Sequence, residues 1–228
     1  MIVRRAAAEA IGTFYLVFIG TGAILVDDHL SGAIGPLGIA LAFGLVVAAM
    51  VQATRHLSGA HLNPAVTLAL WSSGRIAARH VPSYVGAQLA GATAASLVLA
   101  AVRTELGPRS LGVTASSIGT AGGLGVEFVL TFALMFVIVA TAVEARADGA
   151  LAPLAIGAVV AVDALVGGAL TGASMNPARS FGPALVEGHW TDHWIYWAGP
   201  IAGALAAVGV HALLRGGDGG DGGDGSLG

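Results

Sequence analysis

The octet Ser58-Gly59-Ala60-His61-Leu62-Asn63-Pro64-Ala65 recurs as Thr171-Gly172-Ala173-Ser174-Met175-Asn176-Pro177-Ala178. The shared pattern is Ser/Thr-Gly-Ala-x-x-Asn-Pro-Ala. Asn is a strong helix N-cap, Pro suits the first helical position, and a residue before Pro is pushed out of the α region. Each copy therefore predicts a helix start, with helices over Pro64–Trp71 and Pro177–Val186. At about 1.5 Å per residue they run about 12 Å and about 15 Å. Neither crosses a hydrocarbon layer of about 30 Å, but placed start to start they nearly do.

That placement has a chemistry. Each helix start carries roughly half a positive charge, so two meeting at mid-depth oppose cations, protons included. The Asn63 and Asn176 amides can donate hydrogen bonds into the space between. Upstream, the non-helical segments Gly59-Ala60-His61 and Gly172-Ala173-Ser174 leave carbonyls unpaired. Irregular backbone at that depth is tolerated only where it lines a polar cavity or is buried in protein. Donors at the centre, acceptors along the path and a positive potential describe a route for neutral hydrogen-bonding molecules.

The elements that must hold these motifs are membrane spans. Of 228 residues 56% are hydrophobic and only 10% charged, far below the roughly 25% of soluble domains. The mean hydropathy is +0.83. Six apolar stretches are long enough to cross, near Ala6–Val26, Pro36–Ala53, Val81–Val102, Leu124–Val143, Leu151–Gly168 and Trp194–Leu214. The first, behind Arg4 and Arg5, reads as a span and not a cleavable leader. A net charge of -3 gives no case for nucleic acid. The absence of Cys excludes disulfides and thiolate metal sites, and no His pair has metal-ligand spacing. No Ser/His/Asp set, phosphate loop or paired-carboxylate site stands out, so the chain does not read as an enzyme. No cofactor is implied.

The two halves repeat. Glu9-x-x-x-Thr13-Phe14 opens the first, about residues 4–102, and Glu127-x-x-x-Thr131-Phe132 opens the second, about 124–215. Three spans in each half force opposite orientations, an inverted repeat about an axis in the membrane plane. Residues 1–215 form one channel-like domain, and the Gly/Asp-rich 216–228 reads as a disordered tail. With both termini in the cytoplasm, Arg4, Arg5, Arg55, Arg75, Arg79, Arg146 and Arg215 lie inside, against Arg103, Arg109 and Arg179, as the positive-inside rule asks. Trp190, Trp194, Tyr196 and Trp197 read as an interfacial belt.

Over roughly residues 4–215 the chain resembles the aquaporins, or major intrinsic proteins, and within them looks like a bacterial-type member. The residues that carry this are His61-Leu62-Asn63-Pro64-Ala65-Val66-Thr67 and Met175-Asn176-Pro177-Ala178-Arg179-Ser180-Phe181-Gly182-Pro183. The resemblance implies an all-α membrane bundle of six helices plus two re-entrant half-helices. It also implies a homotetramer in the cell membrane, with a pore in each subunit passing water passively. Arg179 would sit in an outer constriction with Phe43, Ala164 and Ala173, carried over by spacing from the motifs: 20 before Asn63, and 12 and 3 before Asn176. Strict water channels of this family typically have His where Ala164 stands, which argues for a wider filter. Ser180, Ala184 and the pair Tyr196-Trp197 look instead like the water-channel branch. Water permeation is expected, with glycerol and other small neutral solutes left open.

Glu9 and Glu127, at matching positions, read as acceptors for backbone N–H groups of the half-helix loops. Asp163 has no counterpart in the first half. It reads as paired with a loop donor, or as facing the outer vestibule. Gln52 and Gln88 read as inter-helix hydrogen-bond partners, and His61 as lining the cytoplasmic half of the pore. The rival reading is a secondary transporter, which also uses inverted repeats and broken helices. It would need coupling carboxylates and a rocking half, and Asp163 is the only unmatched acid within a span.

Overall fold

The computed structural model describes residues 2–107, 109–144, 147 and 149–215. The tail reading for 216–228 lies outside the described residues. Six long helices are apolar enough to cross a membrane. They are α1 (Ile2–His29), α2 (Gly35–Ser58), α4 (Val81–Leu106), α5 (Gly119–Ile138), α6 (Ala152–Thr171) and α8 (Ile195–Arg215). Two short helices follow the motifs, α3 (Pro64–Ser72) and α7 (Pro177–Glu187). A π-helical turn at Val139–Val143 prolongs α5.

Several spans run further than the apolar stretches alone. α1 passes Val26 to reach His29, and α2 passes Ala53 to reach Ser58. Hydropathy marks only the apolar part of a helix; backbone hydrogen bonding carries α2 on past it, through Arg55 and His56 in its last turn.

Packing repeats between the halves. α1 lies on α4 as α5 lies on α8, α1 on α2 as α5 on α6, and α2 meets α6 across the pseudo-twofold axis. The half-helices are exchanged: α3 packs mainly on α8 and α7 on α4. Small residues set the approach, because in lipid helices associate through close van der Waals contact. At the α2–α6 crossing a Cβ on Gly44 would come within 2.5 Å of the Gly157 carbonyl, and one on Gly157 within 2.4 Å of the Gly44 carbonyl. No side chain fits at either position.

The aromatic cluster at the start of α8 splits. Trp190 and Trp194 are exposed, as a belt requires, but Tyr196 is fully buried and turned into the bundle. Its hydroxyl donates to the Thr171 carbonyl at 2.9 Å, a partner that outweighs an interfacial position. Gln52 faces outward and makes no inter-helix bond among the described residues, whereas Gln88 is fully buried and does.

Candidate functional site

Each half-helix begins as its sequence dictates. Asn63 and Asn176 are extended, with Pro next at the first helical position. Asn63 Oδ1 accepts from Ala65 N at 2.9 Å, and Asn176 Oδ1 from Ala178 N at 3.0 Å. Ala65 and Ala178 are fully buried where the two starts abut. The amide nitrogens clasp reciprocally across the axis. Asn63 Nδ2 donates to the Met175 carbonyl at 2.7 Å and Asn176 Nδ2 to the Leu62 carbonyl at 2.8 Å. Each amide has two N–H groups, so one locks the opposite loop and the other remains for the lumen.

The loops before the motifs are held under strain. Ala60, Leu62, Ala173 and Met175 all take positive φ, between 42° and 52°, a region that costs L-residues about 1–3 kcal/mol each. The two buried glutamates hold these turns. Glu9 accepts from Ser58 Oγ at 2.6 Å, His61 N at 3.0 Å, Leu62 N at 2.7 Å and Gln88 Nε2 at 2.8 Å. Glu127 accepts from Thr171 Oγ1 at 2.7 Å, Ser174 N at 2.9 Å and Met175 N at 2.8 Å. The missing fourth donor has a cause in the sequence. Gln88 stands four after Tyr84, and four after its counterpart Tyr196 comes Pro200, which has no side-chain donor.

With the amide N–H groups turned to the glutamates, the carbonyls of Gly59, Ala60 and His61, and of Gly172, Ala173 and Ser174, accept no hydrogen bond among the described residues. One cavity of about 510 Å³ runs past both loops. Phe43, Ala164, Ala173 and Arg179 line one end, Asn63 and Asn176 the middle, and Arg55, His56 and Arg75 the other. Gly59, Ala60, His61 and Ser174 also line it. Gly172 does not: it caps α6 in the left-handed region, with Thr114 packed where a Cβ would go. The reading of Gly172 as pore-lining finds no support in this cavity; Gly59 caps α2 in the same way and does line it, so the packing of Thr114 and not the cap makes the difference.

Of the four residues carried over by spacing from the motifs, Arg179 and Phe43 meet, and Ala164 and Ala173 line the same cavity. Arg179 is 2% exposed; its Nη1 donates to the Gly112 carbonyl, and its guanidinium carbon lies 5.1 Å from the Phe43 ring centroid. The Phe43 ring has room because residue 20 is Gly, whose Cβ would fall 2.1 Å from the ring. Gly20→Val is therefore expected to force the ring into the lumen and cut water permeability of reconstituted vesicles at least about tenfold, the scale of a 1–2 kcal/mol barrier.

Asp163 departs from both of its readings. It is 8% exposed, its Oδ2 has no partner, and it does not line the cavity. Facing helix packing, it is badly placed to couple an ion to solute movement, which removes the main support for a carrier.

Several supports escaped the sequence reading. Tyr84 donates to the Ser58 carbonyl at 2.7 Å, as Tyr196 does to Thr171, clamping the last turn before each loop. The signal was present: Tyr84 follows Asn63 by 21 residues and Tyr196 follows Asn176 by 20. Tyr196→Phe leaves the Thr171 carbonyl buried and unpaired, and is expected to lower stability by about 1–3 kcal/mol, read as an earlier thermal unfolding in detergent. Gly112, which holds Arg179, and Thr114, which donates to Ser180 Oγ at 2.8 Å, lie in a connector with no motif to mark them.

The model of the major intrinsic protein family matches residues 1–211. Aquaporin NIP1-3 of Oryza sativa subsp. japonica is 45% identical over 214 residues, which cover 93% of this chain and 74% of that protein. Aquaporin TIP4-4 of Zea mays is 47% identical over 207 residues, covering 88% and 82%. Among solved structures, the aquaglyceroporin from Plasmodium falciparum superposes with a TM-score of 0.82 at 27% identity, covering 94% of this chain and 97% of that one. These relatives are plant proteins and one from Plasmodium, so the bacterial-type reading finds no support among them. With this half-helix geometry and these matches, the chain belongs to the major intrinsic protein family.

Proposed function

We propose that Phe43, Ala164, Ala173 and Arg179 form the selectivity filter of this channel, with Asn63 and Asn176 orienting solute at its centre. Membership of the family makes the chain a passive membrane channel for water and small solutes, and not an enzyme. The observation that carries the filter reading is the single cavity that has these four side chains at one end and both motif asparagines along its length. Apolar walls make water bind weakly, while the loop carbonyls and asparagine amides replace the hydrogen bonds that it gives up. Ions lose more hydration than these groups return, and cations also meet Arg179 and two positive helix ends.

Ala164 puts only a methyl group into the filter, and the solved relative is an aquaglyceroporin. Glycerol is therefore proposed as a second solute. Stopped-flow light scattering on proteoliposomes tests this, with water and glycerol compared in one preparation. Both are expected well above empty vesicles; glycerol at background would sink the wide-filter reading. Ala164→His is expected to cut glycerol permeability roughly tenfold or more while sparing most water flux, since added bulk in a pocket discriminates by about 1–3 kcal/mol.

The same reading puts both termini in the cytoplasm and the chain in the cell membrane, on the arginine asymmetry. Because the chain has no cysteine, a single Cys introduced at Ser73 or at Ser110 reports sidedness by labelling in intact cells. A homotetramer with four separate pores is proposed on the family resemblance, and the outward Gln52 of α2 gains a partner if a neighbouring subunit covers that face. Native mass spectrometry of the purified channel tests it.

A further inference from the structure

We infer that the end of the bundle carrying the N-terminus holds a binding site for a phosphate-class anion, beside the pore mouth. The site is a recess of about 470 Å³ between the start of α1, the end of α2, the segment after α3 and the start of α4. Six basic side chains converge on it: Arg5, Arg55, His56, His61, Arg75 and His80. No Asp or Glu lines it among the described residues.

Among the described residues, three arginines outside the recess are neutralised by acids, while Arg4 and Arg79 are not. Arg103 pairs with Glu187 at 2.6 Å, Arg109 with Asp28 at 3.5 Å and Arg215 with Glu144 at 3.2 Å. Arg5, Arg55 and Arg75 pair with no acid among the described residues. Arg55 spends one N–H on the Gly149 carbonyl at 2.7 Å, which fixes its fork and leaves its other donors free. Glu9, beneath the recess, accepts four hydrogen bonds from neutral donors and forms no ion pair with these arginines, so its single charge offsets only part of theirs. Setting membrane orientation requires arginines only on one side of the bilayer. It does not require them to converge from three separated segments on one concavity. Like charges gathered in a recess repel one another, and a bound anion relieves that repulsion. A concave basic pocket focuses the field, guanidinium forks match phosphate oxygens two at a time, and basic pockets between spans take phosphorylated headgroups.

Arg55, His56, Gly59, His61 and Arg75 line both this recess and the pore cavity. An anion held there shares a wall with the mouth and slows water. The ligand is a soluble phosphate or a phosphomonoester lipid headgroup, which have the same chemistry.

The test uses the whole chain, first in detergent with pyrophosphate against chloride at equal ionic strength. A second arm uses nanodiscs of phosphatidylcholine with and without a minor fraction of phosphatidic acid. At about 100 times the dissociation constant, the ligand is expected to raise Tm by roughly 5–10 °C. Arg5→Gln and His80→Gln, which line the recess and not the pore cavity, are each expected to abolish most of that rise. A rise with pyrophosphate alone identifies a soluble ligand, and with phosphatidic acid alone a headgroup; either supports the site. No rise with either, or an equal rise in both variants, overturns it. The ratio of water permeability in pyrophosphate to that in chloride, expected to fall at least about twofold on the scale of a few tenths of a kcal/mol, reads the effect on the mouth. That arm rests on the channel reading, whereas the Tm arm does not, so the two fail separately.

Discussion

Glu9→Ala and Glu127→Ala are each expected to lose about 3–5 kcal/mol of stability, enough to take most of the folded channel from a detergent extract. The carboxylates sit at the bottom of the chain's least favourable backbone. Removing Glu127 strips Ser174 N and Met175 N of their acceptor, next to Ala173 and Met175 in the left-handed region. Removing Glu9 does the same to His61 N and Leu62 N. Each buried donor left without its acceptor costs about 1–3 kcal/mol, so losing two backbone acceptors together costs about 3–5 kcal/mol, against a total stability of about 5–15 kcal/mol. At about 2–4 °C per kcal/mol in a chain of this size, Tm should fall by roughly 6–20 °C. Glu→Gln at either position should fall between, because an amide offers one acceptor oxygen and turns its own N–H₂ against a remaining backbone N–H. A Tm within a degree or two of the parent for both Ala variants would show that helix packing alone holds the loops, and would remove the structural role from both acids.

That dependence also explains what could be read from the sequence. The spans, the inverted repeat and the two half-helix starts were legible because each rests on a local rule: apolar length, the recurrence of Glu9 and Glu127, and the Asn-Pro cap. Phe43, Ala164 and Ala173 were reachable only by counting from those caps, which works where a helix between marker and target has no inserted residue. Gly112 was out of reach. It contributes a bare carbonyl from a connector, and nothing in a glycine's identity says that its oxygen will meet Arg179. Gly172 was misplaced for the converse reason. Its local pattern matches Gly59, but the cavity passes one and not the other, because Thr114 of a distant connector packs against Gly172 while only the His61 ring approaches Gly59. Asp163 was misjudged because burial of a carboxylate usually comes with a partner, and here Oδ2 has none.

Arg179→Val should separate the two sources of the cation barrier. The guanidinium is almost wholly enclosed, fixed by the Gly112 carbonyl on one side and the Phe43 ring on the other. It therefore presents its remaining N–H groups in one orientation and its charge at one depth. A unit charge about 4 Å from a passing cation is worth about 4 kcal/mol at an effective dielectric constant of about 20. At about 1.4 kcal/mol per tenfold, that sets a ceiling of about three decades on the rise in proton or cation flux when the charge is lost. The helix starts capped by Asn63 and Asn176 keep roughly half a charge each, so part of the barrier persists and the rise should fall between about tenfold and about a thousandfold. Water permeability should stay within about twofold, because the asparagine amides and loop carbonyls are untouched, while glycerol permeability rises as the filter widens. Proton flux is read with an internal pH dye under a potassium diffusion potential, and water by light scattering in the same vesicles. If proton flux does not rise, the barrier lies at the asparagine pair and Arg179 acts on solute size alone. If it rises toward the ceiling, the filter charge carries the exclusion and the helix starts add little.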